Sequence, residues 1–258
     1  MLQYKTSFDS LMWVKSVPNE HEKMLFARAE KYIDKLTWIP WLRMVAVVNS
    51  LSMYATHRDS DIDLFIVTST GTLWWVRAMV TLVFSLHGVW RHGEDIAGHF
   101  CLSFFVTEDA LDMKEIAIED DIYLYFWMYY MKPIFVVGDI WESFQKVNGI
   151  LDNRLQIIDY RLQITDSGGQ ITDFRGQRVE DRGVEYEKSQ IWTFIAKICN
   201  ILIKPLWEWR SRRTWRVKWK PEGVIITSDI LKFHDKDRRR EIRDRLRQIE
   251  IETSREWR

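Results

Sequence analysis

The sequence predicts an α+β fold: a small mixed β-sheet backed by helices, followed by a mainly helical C-terminal region. Three observations predict it. Residues 44–48, 64–67 and 99–107 form apolar runs with the length of buried strands. Helical patterns precede the first run and separate the second from the third, giving the order helix, strand, strand, helix, strand. Beyond residue 112 the spacing of apolar residues becomes mostly helical.

Taken in order, residues 1–17 are weakly patterned. Pro18-Asn19-Glu20 opens a helix to about residue 36, with Met24, Leu25, Ala27, Ala29, Tyr32 and Ile33 as its apolar face. Residues 37–42, with Pro40, break it before the first strand. Ser69-Thr70-Gly71-Thr72 reads as a turn that caps a helix over 73–90, and 91–98 as a loop. A helix is expected over 114–131, ending before Pro133, and Asp139 caps a short one through residue 148. Residues 150–165 leave strand and helix both open, and 165–185, with Gly168, Gly169, Gly176 and Gly183, read as a loop. A helix over 187–209 is expected to be interrupted near Pro205. Residues 224–227 are strand-like, and 235–251 form a charged tail helix. The expected division is a domain over 18–112 and a mainly helical region over 113–258.

Composition excludes several classes. Hydrophobic residues at 47% and charged residues at 29% exclude a disordered chain. Net charge is zero, so any contact with nucleic acid depends on a local patch. The best patch is 207–220, which interleaves Trp207, Trp209, Trp215 and Trp219 with arginine and lysine, a combination suited to base stacking or to a helix packing its Trp face. Most of the 14 Trp are expected in the core and in helix packing. Cys101 and Cys199 make no disulfide framework. No run of about eighteen apolar residues exists to span a membrane, and a cytoplasmic location is expected.

Asp61 and Asp63 are two apart at the start of the second strand and therefore project to one face, with Ile62 and Leu64 turned into the core. Paired carboxylates repel unless a cation or proton lies between them. A hard divalent ion such as Mg²⁺, held by one or two carboxylates and substrate phosphates, resolves that repulsion. A lone Asp-x-Asp also occurs as ordinary punctuation of a strand; the context here says more. An apolar strand, then Asn49-Ser50, then ten residues ending in Ser60, then Asp61-Ile62-Asp63-Leu64 resembles the signature of the nucleotidyltransferase superfamily related to DNA polymerase β, in its minimal and aminoglycoside-modifying branches.

The resemblance implies transfer of a nucleoside monophosphate from a nucleoside triphosphate to an acceptor that the sequence does not identify. It implies Asp61 and Asp63 as ligands of two Mg²⁺ ions about 3.5–4 Å apart. It implies Asn49 and Ser50 as the turn that holds the triphosphate, with Ser60 and Arg58 as further nucleotide-binding residues. Asn49 stands where the family has Gly; such a turn needs close backbone approach and φ > 0, which Asn tolerates better than most residues. The family's third carboxylate has no counterpart within 99–107, where Ser103 takes the middle of the strand. Glu108 or Asp109 would have to reach back, or the site holds a single ion, or catalysis has been lost. The alternative function is a catalytically inactive protein of the same fold that binds nucleotide, RNA or a partner. His57, beside Arg58, and Arg77 are either phosphate contacts or surface and helix-face residues. His92, His99 and Cys101 lack zinc-site spacing.

Overall fold

The computed structural model describes residues 2–91, 96–150, 190–217, 223–233 and 237–256. The regions 150–165 and 165–185 lie outside it, apart from Ile150. A helix α1 (Lys5–Met12) forms in the weakly patterned N-terminal stretch, anchored by fully buried Phe8. Helix α2 (Glu20–Asp34) starts where expected. The Asn19 side chain accepts from the Glu22 N–H, and Glu22 reciprocates at the Asn19 N–H, which is a complete capping box. Its buried face is Leu25, Phe26, Ala29 and Ile33, whereas Met24 and Ala27 face solvent.

Strand β1 (Leu42–Val47) leads into a single helical turn, α3 (Asn49–Ser52), and β2 (Ile62–Thr68) carries Asp63. Helix α4 (Leu73–Leu86) follows, then β3 (Phe100–Thr107). Thr72 does not cap α4 with its side chain; its hydroxyl donates to the Ser69 carbonyl instead. The cap comes from a distant helix, as Asn200 Oδ1 accepts from the Trp74 and Trp75 N–H groups at 2.8 and 3.1 Å.

The expected helix over 114–131 is shorter. A 3₁₀ turn spans Met113–Ile116 and α5 spans Ile122–Tyr129, with the Asp121 carboxylate accepting from the Leu124 N–H. Residues Lys132–Val136 then form β4. Pro133 is tolerated because β4 lies at the sheet edge, the place in a sheet where proline is accommodated. Helix α6 (Ile140–Val147) precedes the undescribed segment.

Helix α7 (Gln190–Val217) runs through Pro205 without stopping. Pro205 and Ile201 are both exposed, so the Ile201 carbonyl deprived of a donor faces water. A hairpin of β5 (Val224–Ile226) and β6 (Ile230–Phe233) and a tail helix α8 (Arg239–Glu256) complete the described chain.

The sheet has six strands in the order β4-β1-β2-β3-β6-β5, with β2 and β3 parallel and the other neighbours antiparallel. The fold is therefore α+β with a mixed sheet and a mainly helical C-terminal region, as expected, and three of its strands come from beyond residue 112. Ile62, Leu64, Val45 and Val47 face α2 and α4. Phe65, Val67, Met44 and Ala46 face α5 and α6, where Phe65 meets Phe104, Trp127 and Phe144 at ring separations of 5.0, 5.5 and 5.5 Å. Trp41, Trp74, Trp127 and Trp141 are buried, while Trp13, Trp38 and Trp209 are exposed.

Helix α8 joins this frame through Arg239. Its guanidinium donates to Asp121 at 2.9 Å, to the Ile116 carbonyl at 2.8 Å and to Asp237 at 2.7 Å. Lys232 on β6 is buried beside this group, its Nζ 3.8 Å from Asp237. Burial, and then the Arg239 charge, lowers Lys232 to about 8 from 10.5. Between those values the unfolded lysine keeps a proton that the folded one releases, so stability rises with pH there. We expect Lys232→Met to remove that rise and to add about 1–3 kcal/mol at pH 7. Urea unfolding at pH 7, 8 and 9.5 checks both statements.

Candidate active site

Asn49 opens α3 at φ +57, the left-handed region that a turn glycine would supply. Asn has a second use here. Its side chain hydrogen-bonds Asp63 and its Oδ1 accepts from the Tyr123 hydroxyl at 3.4 Å, so the turn and the acidic strand are tied together. The backbone adds another tie, since the Val48 N–H donates to the Asp63 carbonyl at 3.1 Å. Within the turn, the Ser52 hydroxyl donates to the Asn49 carbonyl at 2.8 Å and the Ala55 N–H to the Ser50 carbonyl at 2.9 Å.

Asp61 and Asp63 share one face, as their spacing requires. Burial, with the Asp61 charge second, pushes Asp63 up to about 6 from 3.8. Asp61 carries a neighbour that sequence reasoning missed: Arg91 Nη1 stands 2.5 Å from Asp61 Oδ2. The Arg91 N–H donates to the Phe100 carbonyl at 3.0 Å and so fixes the segment beside β3.

Cys101, which lacks zinc-site spacing in the sequence, joins the acids in the fold. It pairs in register with Asp63 across the parallel β2–β3 ladder. Asp61, Asp63 and Cys101 each bring one oxygen or sulfur within 4.8 Å of the others. Burial, and then the Asp63 charge, raises the Cys101 thiol, so it stays protonated. The register shifts between Asp63 and Phe65, placing a bulge in β3 next to the acids. The signal available in the sequence was the parallel β-helix-β order, which sets the start of β3 beside the start of β2.

Glu108 and Asp109, the acids proposed to reach back, do not. They lie past the far end of β3, about 16 Å along the strands from Asp63 at about 3.3 Å per residue. There Glu108 Oε1 accepts from the Thr70 N–H at 3.2 Å and Oε2 pairs with Arg43 at 3.2 Å, while Asp109 accepts from the Thr70 hydroxyl at 2.6 Å. Because β2 and β3 are parallel, a residue after the end of one cannot return to the start of the other.

A cleft of ≈ 770 Å³ opens beside the turn, lined by Asn49, Ser50, His57, Ser60 and Tyr123 and by Arg238 and Arg245 of α8. That volume suits a nucleotide-sized ligand. Ser60 Oγ accepts from the His57 N–H at 2.8 Å, which closes the loop before the acids. Asp61 and Asp63 stand behind the turn and do not themselves line the cleft, nor does Arg58, which is exposed. Arg77 lies elsewhere: it is half-buried, donates to the Leu102 carbonyl at 2.9 Å and sits 5.0 and 4.6 Å from the Phe105 and Phe233 rings, a structural position. His99 Nδ1 is 3.1 Å from the Ala97 carbonyl, and His92 lies outside the described residues.

The loop wall is held by Glu22. Fully buried, its carboxylate accepts from Lys15 at 2.8 Å, from the Thr56 N–H at 3.2 Å and from the Thr56 hydroxyl at 3.1 Å. We expect Glu22→Ala to cost about 2–4 kcal/mol, since Lys15 and two Thr56 donors lose their acceptor together. Chemical denaturation measures the loss, and faster amide exchange over residues 53–60 would locate it.

No family model matches the sequence, and no curated protein matches it. One solved structure, "Crystal structure of the toxin-antitoxin with AMP-PNP", is similar over 53% of this chain and 96% of that chain, at 20% identity and a TM-score of 0.30. Likeness at that level carries nothing over to this chain.

Proposed function

We propose that the chain is a nucleotidyltransferase of the polymerase-β-like superfamily, taking a nucleoside triphosphate with a divalent cation at Asp61 and Asp63. One observation carries the reading. The carboxylate pair and the positive-φ Asn49-Ser50 turn are tied together by the Asn49–Asp63 hydrogen bond, and the turn lines a cleft of ≈ 770 Å³. The donor chemistry fits one hard cation such as Mg²⁺: two carboxylates from the chain leave room for phosphate oxygens, and a protonated thiol adds no hard ligand. When bound, that ion neutralises phosphate charge and lowers the barrier to displacement of pyrophosphate. With no third carboxylate beside the pair among the described residues, a single ion replaces the two of the family scheme.

The remaining work belongs to the chain. In this reading the Ser50 hydroxyl and nearby backbone N–H groups hold the triphosphate. Arg91 holds Asp61 in place through their ion pair and puts positive charge beside the carboxylate pair. Arg238 and Arg245 of α8 add basic charge to the lining of the cleft.

A second reading has its own support. Arg91 already neutralises Asp61, and Cys101 stands in register beside Asp63 where a third acid would complete the chemistry. These suit a protein that binds nucleotide without turning it over. Incubation with each labelled nucleoside triphosphate and Mg²⁺, with calorimetry in parallel, separates the two. Pyrophosphate release that disappears in Asp61→Ala/Asp63→Ala supports the transferase. Binding without release supports the second reading, and release that survives the double substitution refutes the site.

A further inference from the structure

Helix α7 has two opposed faces. Ala196, Asn200 and Trp207, spaced four and seven apart, dock it: Ala196 is buried in the core, Asn200 caps α4, and Trp207 packs against the same core. On the other side Phe194, Ile198, Ile201, Leu202, Leu206 and Trp209, spaced three and four apart, form one apolar stripe. Their exposure is high: 65% for Phe194, 66% for Ile201, 71% for Leu202 and 64% for Leu206. Solvent-facing apolar residues in such a continuous row mark an interaction surface.

The charges of the helix decide the partner. Lys197, Lys204, Arg210, Arg212 and Arg213 stand against Glu208 as the helix's single acid, in a chain whose net charge is zero. Arg213 extends the apolar stripe at its C-terminal end, its guanidinium 5.4 Å from the Trp209 ring, while Arg212 is paired with Glu208 at 2.7 Å. A long apolar stripe with basic flanks and a Trp at its cationic end is the pattern of a helix lying in a lipid interface, apolar face down, with arginine and lysine at the headgroups. No described helix is long and apolar enough to cross a membrane, so the association is one of lying on the surface. Nucleic acid fits less well, because four of the six stripe residues, Ile198, Ile201, Leu202 and Leu206, are aliphatic and base stacking needs ring faces.

We propose that α7 is a peripheral membrane-binding helix that seats its 194–209 face on an anionic lipid surface. The polarity of the binding follows from its parts: apolar residues supply insertion, and the basic residues supply selectivity for negative headgroups and sensitivity to salt.

Flotation of the full chain with vesicles tests this. Vesicles of phosphatidylcholine and phosphatidylglycerol at about 7:3 are expected to carry the protein, and pure phosphatidylcholine about tenfold less or worse. Leu202→Glu/Leu206→Glu changes two exposed side chains and is expected to lower the partition coefficient about tenfold or more. Lys204→Gln/Arg213→Gln is expected to remove the salt-sensitive part and leave the rest. Matching melting temperatures establish that each variant is folded. The proposal is overturned by absence of flotation at either composition, or by flotation that the Leu202/Leu206 substitutions leave unchanged. Binding of single-stranded RNA without vesicle binding assigns the face to nucleic acid. A dimer lost in the leucine variant, with no flotation, assigns it to a second copy of the chain.

Discussion

Asp63→Asn is expected to lower pyrophosphate release by about 10²–10³-fold, the size of effect that follows loss of one fixed charge-stabilising group. The same substitution is expected to stabilise the metal-free protein. Asp63 is raised to about 6 by burial and by Asp61, so its charged form is disfavoured in the folded chain. The unfolded carboxyl ionises near 3.8, and as pH climbs from there through about 6 the folded chain loses stability relative to the unfolded one. Above that window an uncharged Asn recovers up to about 3 kcal/mol. Thermal melts in EDTA at pH 4, 5, 6 and 7 should therefore converge at low pH and separate upward. Activity lost with stability gained is the expected outcome, and a variant that loses both would point to a structural role for Asp63.

Arg239→Met is expected to be the most damaging single change outside the hydrophobic core, costing about 3–5 kcal/mol. The side chains of Arg239 and Asp121 are 8% and 4% exposed, and Arg239 is the cation that Asp121 and Asp237 face at hydrogen-bond distance. Arg239, with its bonds behind it, holds Asp237 down to about 2 against the opposing effect of burial. Removing it leaves Asp121 and Asp237 with Lys232, 3.8 Å from Asp237, as the remaining cation of the group. The cluster also seats α8, whose Arg238 and Arg245 line the cleft. Urea unfolding should show the loss, and nucleotide affinity should fall with it. The double substitution Arg239→Met/Asp121→Leu should recover part of the stability because no acid is then stranded at that position.

Legibility of the sequence differed from element to element. The strands β1, β2 and β3, and the capped start of α2, were readable because each is a local pattern: an apolar run, or Asn19 with Glu22 three residues later. Asp61 and Asp63 were readable for the same reason, as residues two apart on one strand must share a face. Strand β4 was not, since Pro133 argues against a strand unless the sheet edge is known. Arg91 was missed, and Cys101 considered only with His92 and His99, because their place beside the acids depends on the β2–β3 register, which pairs residues far apart in sequence. The cap on α4 is another case: Thr72 had the right residue type, yet the acceptor comes from Asn200. Glu108 and Asp109 were suggested by nearness in sequence, and the parallel direction of the two strands separates them from the pair.

The order β4-β1-β2-β3-β6-β5 has a consequence for how the chain reaches its native state. Phe104, Phe105 and Val106 of β3 pair with Lys232, Leu231 and Ile230 of β6. More than a hundred and twenty residues separate those partners along the chain. Until the hairpin docks, β3 is a bare edge rich in aromatic and β-branched residues, the kind of edge that invites pairing between molecules. Closing so long a loop is slow compared with forming the β1–β2 and β2–β3 contacts. The acidic pair thus sits on strands whose partners are largely in place early, while β3 waits for a late strand. Refolding yield should fall steeply with protein concentration, and a chain shortened before residue 224 should aggregate through β3.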